Sequence, residues 1–167
     1  VVDTQTAAGA QGLVVLAAAR AAANGADLDA VLDVAASAIE RVRLVATVPD
    51  LTRLAHSGRL PETARRIGAS VGAQPLFELR RGRIRPMRPA FSRRGALDRI
   101  VDRCTTDGGS GALHVAVLHA LDEGAAALLR QRVDELGPAS CFVGPFSPVM
   151  VAHTGTGLAG LAWWREG

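Results

Sequence analysis

The chain has 167 residues, 49% of them apolar, and carries 19 basic against 16 acidic residues for a net charge of +3. None of the basic residues is lysine, which excludes Schiff-base chemistry within these residues, and no uninterrupted apolar stretch is long enough to span a bilayer. The length fits a single globular domain, residues 1–167, with a core that needs neither disulfide nor metal.

Val1-Val2-Asp3 reads as the end of a strand, and a Val where a natural start carries Met reads as a piece of a longer protein with a segment missing upstream. Gly12 to Asn24 reads as a helix of small residues, with Leu13, Val14, Leu16, Ala17 and Ala21 available to neighbours and Asn24-Gly25 ending it. Asp27 caps a second helix to about Val42, with Leu28, Val31, Leu32, Ala35 and Ile39 on one stripe. Leu44 to Val48 is a short apolar strand. Pro49-Asp50 opens a helix bearing Leu51 and Leu54 that Gly58 stops. Pro61 starts another short helix, and Gly68 and Gly72 bracket its exit.

Pro75 to Arg80 and Arg83 to Arg88 form a hairpin around Arg81-Gly82. A two-residue loop pairs Glu78 with Arg85 on one face and Leu79 with Ile84 on the other, where Phe77 joins them. Arginine is a poor residue for a turn that needs positive φ. Ser92 to about Arg103 is a helix facing Leu97, Ile100 and Val101 inward, and residues 107–111 form a loop. Leu113 to Leu118 is a buried strand. Asp122 caps a helix using Ala125, Leu128, Leu129, Val133 and Leu136, which Gly137-Pro138 stops. Ser140 to Val143 is the next strand, so this strand–helix–strand unit implies parallel pairing. Leu158 to Trp164 closes the chain as a helix turn or a strand. The class is α/β, a mixed sheet covered by helices.

Cys104 and Cys141 lie far apart, which argues against structural zinc and suits a reducing cytoplasm. The arginines at 80, 81, 83, 85, 88, 93 and 94 could bind nucleic acid. With no stacking aromatic apart from Phe91, a solvated hairpin edge is the better reading. His114 and His119 are an odd number of residues apart on one strand, so they point to opposite faces and do not chelate together. His56 lies in a helix's last turn, where a cation favours the dipole. His153 is the distinctive one: an apolar run, Val149 to Ala152, delivers it into a glycine–threonine loop, Thr154-Gly155-Thr156-Gly157, whose amides and hydroxyls suit an anion. Arg59 follows a helix-ending glycine. An imidazole and a guanidinium on two turns point to a carboxylate or phosphate site. The amides of Asp3 to Gly9, ahead of the first helix, are a weaker anion candidate.

Four segments in this order resemble the DegV family of bacterial fatty-acid-binding proteins. Val2-Asp3-Thr4-Gln5-Thr6-Ala7-Ala8-Gly9-Ala10-Gln11-Gly12 is similar to the family's entry to a long helix. Asp50 through Leu60, ending His56-Ser57-Gly58-Arg59-Leu60, is similar to its Gly-Gly-Arg-Ile motif. Gly82-Arg83-Ile84 with Arg93-Arg94-Gly95-Ala96-Leu97, and the loop His153-Thr154-Gly155-Thr156-Gly157, complete the match. Ala8 stands where the family has serine, Ser57 where it has glycine, Thr156 where it has proline, and Leu60-Pro61 where it has Ile-Ser.

The resemblance implies that this chain is the second α/β domain of a two-domain carrier whose N-terminal domain is missing here. It implies one long-chain fatty acid held between the domains, no cofactor, and no catalysis of its own. It implies a partner, a DhaL-type fatty acid kinase subunit that makes an acyl phosphate from the presented carboxylate. Arg59, His153, Thr154 and Gly155 would lie at the head group. Two other readings stay open: an enzyme acting on a small anion with His153 as general acid or base, and a nucleic-acid-binding module using the arginine hairpin.

Overall fold

A computed structural model describes residues 1–50 and 73–166. The helices expected after Asp50 and after Pro61, with His56 and Arg59, lie outside the described residues. Five helices are described: α1 (Ala8–Ala23), α2 (Leu28–Arg41), α3 (Arg93–Thr106), α4 (Glu123–Asp134) and α5 (Pro148–Thr154). The strands are β1 (Arg43–Thr47), β2 (Gln74–Arg80), β3 (Arg83–Ala90), β4 (Leu113–His119), β5 (Ser140–Pro145) and β6 (Ala159–Arg165).

The strands form one mixed sheet in the order β3-β2-β1-β6-β4-β5. Only β4 and β5 run parallel, and α4 makes their crossover; the other neighbours are antiparallel. Leu158 to Trp164 resolves as a strand, and it sits at the centre of the sheet. Val1-Val2-Asp3 is not a strand: both valines are exposed and unpaired with the sheet.

Local chemistry explains the element ends. Asp27, Ser92 and Asp122 each accept a backbone N–H from three residues on, at Ala30, Gly95 and Ala125. The hairpin turn has φ 48 at Arg81 and φ 70 at Gly82, so both central residues are left-handed as a type I′ turn requires. The register is the expected one, with Glu78 opposite Arg85 and Leu79 opposite Ile84. Gly82 N–H donates to Gln5 O at 2.6 Å and ties this turn to the chain's first segment. The first helix starts at Ala8, four residues before the expected Gly12, and its N-cap residue Ala7 offers no side-chain cap.

Strand alternation divides the core in two. One face, with Leu44, Ala46, Phe77, Ala116, Leu118, Ala162 and Trp164, packs on α1 and α2. The other, with Val45, Leu76, Val115, Val117, Leu161 and Trp163, packs on α3 and α4. Four leucines expected against neighbours lie outside: Leu16 of α1, Leu28 and Leu32 of α2 and Leu128 of α4 are exposed. The small residues Ala35 and Ala38, and Ala125 and Ala126, make the close contacts instead, and they let each helix sit down on its neighbours.

Candidate functional site

α1 packs on β4 and β6, toward one side of the sheet. Over β1, β2 and β3 the same face looks into a groove of about 690 Å³, bounded by the Asp3–Ala7 segment and by α5. Phe77 and Leu79 alternate on β2, so both side chains enter the groove, and Ile84 joins them from its place opposite Leu79. Leu44, Phe146, Val149 and Met150 complete the apolar wall. The volume falls within the roughly 300–1,000 Å³ of small-molecule sites.

The polar end is supplied by α5. Ser147 caps this helix by accepting the Met150 N–H, and Pro148 occupies its first turn. His153 therefore sits in the last turn of a helix, not in the expected loop. The Ser-Pro start signal just before the apolar run makes those residues helical. The helix closes at Gly155, whose φ of 77 suits glycine and whose N–H donates to Val151 O at 2.7 Å. Val149, Met150 and His153 line the groove, whereas Val151 and Ala152 line a second cavity of about 680 Å³ beyond α5. Phe146 and Thr154 border both.

His153 is half-buried at the edge of the groove, and among the described residues its ring has no hydrogen-bond or ion-pair partner. An imidazole in that state is available to a guest. Thr154 and Gly155 behave differently from the free donors expected of them. The Thr154 hydroxyl lies within bonding distance of Met150 O (3.0 Å) and Gly155 O (3.1 Å), and the Gly155 amide caps the helix; Thr154 lines the groove, whereas Gly155 lines the second cavity. Thr6, which the sequence did not single out, lines the groove from the entry segment, and its hydroxyl oxygen is buried without a partner. Gln5 and Ala8, on either side of it, have positive φ of 51, an unusual conformation for residues with a Cβ.

The remaining titratable groups belong elsewhere. His114 Nδ1 lies 2.7 Å from Ser140 Oγ and 3.1 Å from Arg20, and its Nε2 lies 2.9 Å from Glu166. Its ring stacks on Trp164 with centroids 5.1 Å apart. His119 lies on the opposite face of β4, buried, with Nδ1 unpaired. Arg43, Glu78, Arg103 and Asp107 form one ion-pair network, and Asp107 also accepts the Trp163 indole N–H at 2.9 Å. The arginine cluster does not form one stripe: Arg81 pairs with Glu40, and Arg93 turns away to Asp122. Among the described residues no three His, Cys, Asp or Glu side chains converge on a metal position, and no helix is long and apolar enough to cross a membrane.

Comparison with known proteins gives this geometry a context. A family model described as an uncharacterised protein of the DegV family matches residues 1–166. A DegV domain-containing protein of Mycobacterium tuberculosis is 32% identical over 165 residues, which cover 96% of this chain and 58% of the relative. The chain thus spans under two thirds of the length of the curated relatives it matches. A solved DegV family protein from Thermus thermophilus, described for its fatty acid binding, superposes with a TM-score of 0.91 at 27% identity, covering 99% of this chain and 60% of that one. The fatty acid kinase B3 protein of Streptococcus pneumoniae, solved loaded with linoleic acid, shares the fold with a TM-score of 0.88 at 16% identity, covering 99% and 59%.

Proposed function

Because this chain belongs to the DegV family, we propose that it binds a long-chain fatty acid, with the acyl tail in the groove between β1–β2–β3 and α5 and the carboxylate at its His153 end. The observation that carries this reading is a groove of about 690 Å³ with an apolar wall of Leu44, Phe77, Leu79, Ile84 and Met150, bordered by an imidazole that has no partner among the described residues. Burial of the tail contributes about 0.8 kcal/mol per methylene, so a long chain gains more from such a slot than a small anion can. A histidine N–H adds one directional bond to the carboxylate.

Arg59 is the second head-group donor in this reading, since a guanidinium offers a fork that matches two carboxylate oxygens. Thr154 borders the head group as wall, and Gly155 closes α5 behind it. The chain acts as one α/β domain of a two-domain carrier, a view supported by its match to 58% of the Mycobacterium tuberculosis relative. It carries rather than catalyses, and it presents the carboxylate to a separate kinase subunit; the shared fold of the linoleic-acid-loaded fatty acid kinase B3 protein supports that partnership.

Native mass spectrometry of the full-length two-domain protein of this reading, mixed with palmitic acid, tests the binding. One palmitate adduct per chain is expected. Its absence, with palmitate in excess, would overturn the reading.

A further inference from the structure

We propose that Arg93 is a positioning residue for the head-group end of the groove, acting through the backbone of Gly157 and not by touching the guest; this deepens, and rests on, the fatty-acid reading above. Arg93 opens α3, on the opposite face of the sheet from the groove. Its Nη2 donates to Gly157 O at 2.8 Å and also pairs with the Asp122 carboxylate. The other terminal nitrogen, Nη1, is buried without a partner, while 31% of the side chain remains accessible.

The atom it holds is a strategic one. Residues 155–158 join α5 to β6, beginning two residues after His153. The Gly155 N–H is fixed to Val151 O, and the Gly157 N–H donates to Ala120 O at 2.7 Å. With Arg93 on its carbonyl, Gly157 is gripped from both sides. The far anchor is rigid too, because the second oxygen of Asp122 accepts the Ala125 N–H at 3.0 Å and caps α4. The turn beside His153 is therefore referenced to α3, β4 and α4 at once. Both contacts are made by the single nitrogen Nη2, which the long, permanently charged side chain carries to a carboxylate and a carbonyl at once.

The test uses the full-length two-domain protein of that reading with palmitic acid carrying ¹³C at its carboxyl carbon, observed by NMR across a pH series. In Arg93→Gln the tail stays bound, but the bound carboxyl resonance and its pH midpoint move toward those of free palmitate. Arg93→Lys, which keeps the charge and one of the two contacts, restores part of the shift. Asp122→Asn, which loosens the anchor and keeps a capping oxygen, moves the resonance in the same direction by less and supplies the readout if Arg93→Gln does not fold. A bound resonance and pH midpoint unchanged in both Arg93→Gln and Asp122→Asn would overturn this inference alone. No bound palmitate in the unaltered chain would overturn it together with the reading it rests on.

Discussion

Gly157 lies so close to Pro49 that a Cβ at position 157 would come within 2.8 Å of the proline Cγ. Its φ of 81 adds a second objection to any side chain there. Gly157→Ala is therefore expected to lose about 2–4 kcal/mol, from the left-handed backbone and the overpacked contact together. Thermal denaturation followed by circular dichroism measures it, at roughly 2–4 °C of Tm for each kcal/mol in a domain of this size. A Tm within a degree of the unaltered chain would show that the close approach relaxes without cost.

The free imidazole predicts a selective effect. His153→Ala removes one hydrogen bond to a charged group, about 1.5–3 kcal/mol, but leaves the apolar wall intact. Displacement of a fluorescent fatty acid by palmitate and by hexadecanol separates the two contributions. The preference for palmitate is expected to shrink by about ten- to a hundredfold, with hexadecanol affinity nearly unchanged. Equal losses for both compounds would mean that the residue supports the groove's shape and not the carboxylate.

Filling the groove is the complementary experiment. Leu79 is half-buried on the groove side of β2, and Leu79→Trp projects an indole into the space the tail would use. The longest chains should lose most, since each displaced methylene forfeits about 0.8 kcal/mol. Stability should stay within about 1 kcal/mol, because the added ring meets open space. A chain-length series of saturated fatty acids reads the result, and an unchanged length preference would place the tail elsewhere.

Much of this architecture was legible in the residues. Short-range chemistry is written locally: the caps at Asp27 and Asp122 and the Leu79–Ile84 register followed from turn and cap rules that depend on a few neighbours. The groove was not legible. Phe77 and Ile84 show an alternating apolar face, but nothing local says that this face looks into a cleft while the equivalent face of β4 meets α1. The helical setting of His153 was signalled by Ser147-Pro148 and was outweighed by the glycines that follow it. The grip of Arg93 on Gly157 spans 64 positions and leaves no sequence pattern. Long leucines were read inward on α2, whereas close packing chose alanines.

The cysteines give a pH prediction. Burial pushes the Cys104 thiol from its ordinary 9.0 up to about 12, and burial raises Cys141 as well. The unfolded chain releases these protons near pH 9 while the folded chain keeps them. The Cys104 contribution to stability is therefore complete below pH 9 and is lost as pH rises toward 12, with a slope of up to about 1.4 kcal/mol per pH unit, and Cys141 acts in the same direction. The chain contains neither lysine nor tyrosine, so these two thiols dominate that window. Urea unfolding at pH 8, 9.5 and 11 should show the decline, and Cys104→Ala should flatten it. A decline equally steep in that variant would assign it to other groups.

Intermolecular NOEs between uniformly ¹³C-labelled palmitate and the chain report most directly on where the guest lies. Tail methylenes are expected to contact Phe77, Leu79, Ile84 and Met150, and the methylene next to the carboxyl is expected to contact His153. Contacts running instead to Leu97 and Leu128, in the cleft between α3 and α4, would contradict the proposed site.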